Sequence, residues 1–158
     1  MTATYEKIAT NTLGSSTATV TFSSISSAYT DLVVIFTGTA TSGTTLFYRF
    51  NGDSNSNYSD TYLYGEGSYG SGRHTSITNI FGAGVNTSQC MQVINVMNYA
   101  NTSTYKTTLL RGNANGVGTT ITFSGLWRST SAITSIAISS SASFATGSTF
   151  TLYGIKAE

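Results

Sequence analysis

Apolar residues in this chain recur at every second position, in short runs cut off by Gly, Ser or Asn clusters, and nowhere sustain the 3.6-residue period of an amphipathic helix. In ATVTF, Ala18, Val20 and Phe22 fall on one side and Thr19 and Thr21 on the other. DLVVIFTG is a continuous apolar run, which predicts a strand covered on both faces from Leu32 to Phe36. YEKIA, TLFYRF, DTYLYG, SITNIF, QCMQVINVM, YKTTLLRG, TTITFSGLW, AITSIAIS and STFTLYGIK complete a set of about ten or eleven short strands.

Many antiparallel strands without a helix predict an all-β fold, an antiparallel two-sheet sandwich of jelly-roll or related Greek-key type. Pattern leaves the strand order open, and an immunoglobulin-like order is also compatible with it. The immunoglobulin Cys, Trp, Cys signature is absent, because Cys90 and Trp127 are the only residues of their types. No linker or compositional break divides the 158 residues, so one domain over 1–158 is expected.

Proline is absent and few strands carry inward charges, so two usual means of blunting a sheet edge are missing. A neighbouring subunit is expected to cover the edges, and an oligomer is favoured over a free monomer.

Only 8% of residues are charged, so the polar surface must be built from hydroxyls and amides, while 39% apolar and 12% aromatic residues suffice for a core. The net charge of +1 is spread singly along the chain, which argues against nucleic acid or an anionic membrane as partner. The start MTATYEKIATNTLG has neither a basic n-region nor an apolar h-region, so export by a signal peptide is not expected. A lone Cys90 excludes an intrachain disulfide, and its apolar surroundings predict a buried, inert thiol.

The stretch RFNGDSNSNYSDTYLYGEGSYG, 49–70, holds three of the six carboxylates. Asp53, Asn55 and Asn57 match the first alternate ligands of an EF-hand loop, but Tyr58 stands where the turn glycine belongs and Tyr64 where the closing Glu belongs. Calcium is therefore at most a structural ion, and no cofactor is expected. Asp53, Asp60 and Glu66 could supply paired catalytic acids only if they converged across a bond. In a polar loop they read instead as turn formers and solvated side chains. His74, the only histidine, lies among glycines in GSGRHTS, which reads as an exposed loop, and there is neither a Gly-x-Ser-x-Gly elbow nor a Walker loop. No enzymatic activity is expected.

Surface chemistry remains. Tyr58, Tyr62, Tyr64 and Tyr69, interleaved with Asn, Ser and Gly over two strands and their long loops, suit either a protein interface or sugar stacking; alternate tyrosines also pack on strands for ordinary reasons. With Tyr5 and Arg73 they are the candidate interface or ligand contacts. Trp127 shares a face with Ile121 and Phe123 by alternation, which places it in the core.

From end to end the chain resembles a family of small virion proteins of tailed bacteriophages, through TYEKIAT, VTFSSISSAYTDLVVIF, RFNGDSNSNYSDTYLYGEGS, GLWRSTSAITSI and GSTFTLYGIKAE. Ser26 departs from the family pattern, which has proline there, and touches only a turn. The resemblance implies synthesis in host cytoplasm without a signal peptide, then residence in the virion. Its first implied role is a capsid decoration (cement) protein, a homotrimer on the outer surface of the capsid bound to the phage major capsid protein, with residues 1–9 as a docking arm or a first strand. Its second is a tail-fibre or receptor-binding module that holds host polysaccharide.

Overall fold

The structure, a computed structural model, describes residues 4–114 and 118–156. Its twelve described strands are β1 (Tyr5–Thr12), β2 (Thr17–Phe22), β3 (Asp31–Gly38), β4 (Thr44–Phe50), β5 (Tyr58–Glu66), β6 (Ser68–Ile77), β7 (Ile80–Val85), β8 (Cys90–Met97), β9 (Lys106–Ala114), β10 (Thr119–Trp127), β11 (Ile136–Phe144) and β12 (Thr149–Ile155). They form two antiparallel sheets, β1-β12-β3-β8-β9-β10-β5-β6 and β2-β11-β4-β7.

Without β5, β6, β9 and β10, the order β1-β12-β3-β8 facing β2-β11-β4-β7 is that of an eight-stranded jelly roll. The jelly-roll expectation therefore holds over an immunoglobulin-like order. The two inserted pairs, one between β4 and β7 and one between β8 and β11, both extend the larger sheet beyond β8. That extension carries the larger sheet past β7, the last strand of the smaller one.

The alternation seen in the sequence selects the core. Leu32, Val34 and Phe36 of β3, Leu46, Tyr48 and Phe50 of β4, and Ile136 and Ile138 of β11 all point between the sheets and are buried. Phe36, Phe144 and Phe150 pack with centroids 4.9–5.5 Å apart, and Phe50, Tyr58 and Trp127 form a second cluster. Each such ring contributes roughly 1.5–3 kcal/mol of burial. Trp127 is 2% exposed, as its alternation with Ile121 and Phe123 predicts. Cys90 is buried with its thiol directed at Gly38 O, and burial pushes its pKa up to about 11, so it is not a thiolate at neutral pH.

The unpaired edge of β7 is closed by the chain's own side chains. Buried Gln92 acts as a one-residue strand: Ala83 N donates to its Oε1 at 3.0 Å and its Nε2 donates to Ala83 O at 2.9 Å. Beside it, Phe81 N donates to Asp60 Oδ2 at 3.1 Å. This edge thus needs no neighbouring subunit, contrary to the expectation for all edges. The edges of β1, β2 and β6 have no strand partner among the described residues.

Residues 5–9 belong to β1, paired with β12, which is the first-strand alternative for the N-terminal segment. Residues 1–3 of that segment lie outside the described residues. SITNIF is not one strand, since β6 ends at Ile77 and β7 starts at Ile80, with Ser76 at φ 54° just before the break.

Candidate functional site

The Asn-rich start of the 49–70 stretch is a tight turn with a lock behind it. Asn51 and Gly52 have φ of 51° and 67°, and Asp53 N donates to Phe50 O at 2.9 Å, the geometry that makes Asn-Gly a favoured turn dipeptide. The turn aims Asp53 inward. Its Oδ1 accepts from Asn55 N and Nδ2, and its Oδ2 accepts from Asn57 Nδ2 and Trp127 Nε1, all within 2.7–3.0 Å. Burial alone would raise the Asp53 pKa, but these donors outweigh it and hold it down at about 2.

Asn55 and Asn57 therefore turn their amide N–H groups toward Asp53, where calcium would require their oxygens. The loop is a hydrogen-bonded anion site completed by protein donors. Among the described residues no group of three or more His, Cys, Asp or Glu is placed to hold a metal.

Asp60 and His74 depart from their predicted places. His74 is on strand β6, not in an exposed loop, because Ser68–Ile77 pairs with β5 around the turn at Gly67, φ 64°. The glycines that suggest a loop serve that pairing: a Cβ on Gly72 would stand 2.5 Å from Tyr62 Oη, and one on Gly70 would stand 2.6 Å from Tyr64 Cζ. Asp60 is not solvated either, since its side chain has 0% exposure and its Oδ1 lies 2.6 Å from His74 Nδ1. The third acid, Glu66, is exposed at the hairpin tip. Asp53 and Asp60 are thus engaged separately and Glu66 stands exposed, so the three carboxylates do not converge on a common point.

The six candidate contact residues divide among three environments. Tyr58 is a correction: it is fully buried, and its hydroxyl accepts from Phe50 N and donates to Phe50 O, so it cannot touch a partner. Tyr62 and Tyr64 point to the core-facing side of β5, but on the part of the sheet beyond β7, where Tyr64 keeps 39% exposure. Tyr5, Tyr69 and Arg73 lie on the opposite side of the same sheet, all exposed. Tyr62 and Tyr64 lie on β5, the strand that DTYLYG predicts, and Tyr58 and Tyr69 are on β5 and β6 rather than in loops.

Two features around this hairpin and its sheet escaped the sequence reading. One is a row of rings, Tyr64, Tyr62, His74, Phe81 and Phe47, with successive centroids 6.4, 5.4, 4.3 and 5.2 Å apart. Tyr62 and Gly72, like Tyr64 and Gly70, are equidistant from Gly67, a symmetry that marks the hairpin once the turn is placed. The other is the outward face of the larger sheet. Val33 and Val93 are nearly buried there within the sheet's own surface, while Leu63, Met91, Met97 and Leu109 are 40–62% exposed. Two open depressions flank Leu109, one of 370 Å³ lined by Thr61, Arg73, Thr107, Ser124 and Leu126, and one of 290 Å³ lined by Met91, Val93, Arg111 and Asn113.

Neither a protein-family model nor a curated protein matches the chain.

Proposed function

We propose that this protein is a structural subunit of a tailed-phage virion, a decoration (cement) protein that sits as a homotrimer on the outer surface of the capsid and clamps neighbouring major capsid proteins. The observation that carries this reading is the outward face of the eight-stranded sheet. In a two-sheet sandwich such a face ordinarily alternates to polar residues, yet here Ile35, Leu63, Met91, Met97, Leu109 and Leu126 all point from it. These apolar side chains alternate with hydroxyls, Asn95 and Arg111 across the face, a mixture that suits a protein interface, and aromatic Tyr5 and Tyr69 with Arg73 stand toward its margins.

The capsid shell covers this face in the bound state, and sister copies meet along the uncovered edges of β1 and β2. Many shallow contacts acting together resist separation of capsomers better than any one of them. The resemblance to phage virion proteins agrees with this assignment.

Labelled protein, sedimented separately with capsids lacking it and with intact host cells, tests the reading. Saturable binding to capsids and not to cells is expected, lost in Leu109→Asp and Met97→Asp, together with a trimer mass by analytical ultracentrifugation. Binding to cells alone, or capsid binding indifferent to both substitutions, would refute it.

A further inference from the structure

On the opposite face of the same extension, we infer that Tyr62 and Tyr64 form a binding platform for a neutral polysaccharide chain. This does not rest on the virion assignment, and it uses the other side of β5 and β6 from the proposed capsid contact.

The platform is built by what lies beneath it. A Cβ on Gly70 would stand 2.6 Å from Cε1, Cζ and Oη of Tyr64, and one on Gly72 would stand 2.5 Å from Oη and 2.6 Å from Cζ of Tyr62. The outer half of each ring therefore occupies the space directly above an α-carbon of β6, so both rings lie across the strand. Their planes differ by 29° with centroids 6.4 Å apart, a pair of neighbouring rings set nearly parallel. His74 continues the row from Tyr62 at 5.4 Å and 26°. It is fixed in place by Asp60 Oδ1 on one side and by Phe81, at 4.3 Å, on its ring.

Phe81 of β7 covers the His74 end of the row, Tyr62 is half-buried and Tyr64 at the far end keeps 39% exposure, and the β6 edge beside them has no strand partner among the described residues. A ligand on the platform meets apolar ring surface below and tyrosine hydroxyls and edge peptide groups at the side. That combination fits a sugar, which has an apolar face and a hydroxyl rim.

Charge selects among sugars. On this face of the hairpin the formal charges are Glu66 at the tip and Asp60, which is already engaged by His74 and Phe81 N. Apart from the His74 ring, which Asp60 already engages, no described Lys or Arg stands there to receive a carboxylate or sulfate, and Glu66 repels one. The geometry therefore points to an uncharged chain.

Affinity electrophoresis of the full chain through gels containing dextran, a β-glucan or a galactomannan, with alginate as the anionic control, tests this. At least one neutral polymer should retard the protein and alginate should not. Tyr64→Ala should weaken binding about tenfold or more, the loss of one stacked ring. Tyr64→Phe should keep most of it, and Tyr69→Ala, on the opposite face, should leave it unchanged. If Tyr64→Ala fails to fold, Gly70→Ala serves in its place, since it displaces the Tyr64 ring without removing it and should weaken binding likewise. Retardation by alginate alone, by no polymer, or to the same extent in wild type and platform variants would overturn the inference.

Discussion

Trp127 Nε1 donates to Asp53 Oδ2 across 2.7 Å, joining the end of β10 to the turn after β4. This bond connects the chain's one indole to the carboxylate at the first EF-hand-like position of the sequence, so that a protein donor takes up an oxygen that a cation would use. Replacing Trp127 by Phe keeps an aromatic ring against Phe50 and Tyr58 but leaves Asp53 one donor short and the core underfilled. The expected cost is about 2–4 kcal/mol, combining a lost charge-assisted bond with a small cavity. Urea denaturation measures it, and Asp53→Asn should cost less than Trp127→Phe because it spares the packing.

Acid should loosen the same lock. Asp53 titrates at about 2 in the folded chain against an ordinary value of 3.8, so its bonds contribute stability in full above the ordinary value and lose it as pH falls from there toward 2. Unfolding free energy measured across that window should decline in the wild type and decline less in Asp53→Asn, whose side chain does not titrate. Equal slopes in the two proteins would show that other carboxylates carry the acid sensitivity.

Gln92 offers a sharper stability test, because a buried primary amide has two main-chain partners on one residue. Gln92→Leu is close in volume yet strips Ala83 N–H and C=O of their partners in a dry site. The expected destabilisation is roughly 2–5 kcal/mol, one desolvation penalty for each orphaned group. Hydrogen exchange should quicken at Ala83 before it does in β3 or β12. If the midpoint of denaturation is unmoved, the β7 edge is held by packing alone.

How much of this was legible in the sequence follows from which residues carry periodic signal. Alternation in ATVTF, DLVVIFTG and TTITFSGLW revealed strand identity, sidedness and the inward placement of Trp127, since a strand face is a local property. Strand β6 stayed hidden because Gly70 and Gly72 remove the apolar alternation, and what replaces it are rings contributed by Tyr62 and Tyr64 from the strand beside it. The same blindness misplaced His74 and Asp60. Their pairing is a register relation across a hairpin, and it appears only once Gly67 is known to be the turn. Gln92 was invisible for a related reason, since a buried polar residue inside QCMQVINVM breaks no pattern, and its partner lies in the other sheet.

The Asp60 and His74 pair should behave as one unit. Asp60 holds two donors on a side chain with no exposure, the His74 ring at 2.6 Å and Phe81 N at 3.1 Å, and thereby ties β6 to β5 and both to β7. Removing His74 alone, as His74→Ala, leaves the carboxylate buried with a single donor and is expected to cost about 2–3 kcal/mol. Asp60→Ala alone releases Phe81 N and frees the ring, at a similar cost. Because both changes break the same bond, the double variant should be destabilised by less than the two together, with a coupling of at least about 1 kcal/mol. Denaturation of the four proteins closes the cycle. A coupling near zero would mean that the close approach of the two groups adds nothing beyond aromatic packing of His74 between Tyr62 and Phe81, and the anchoring of the hairpin would then belong to those rings.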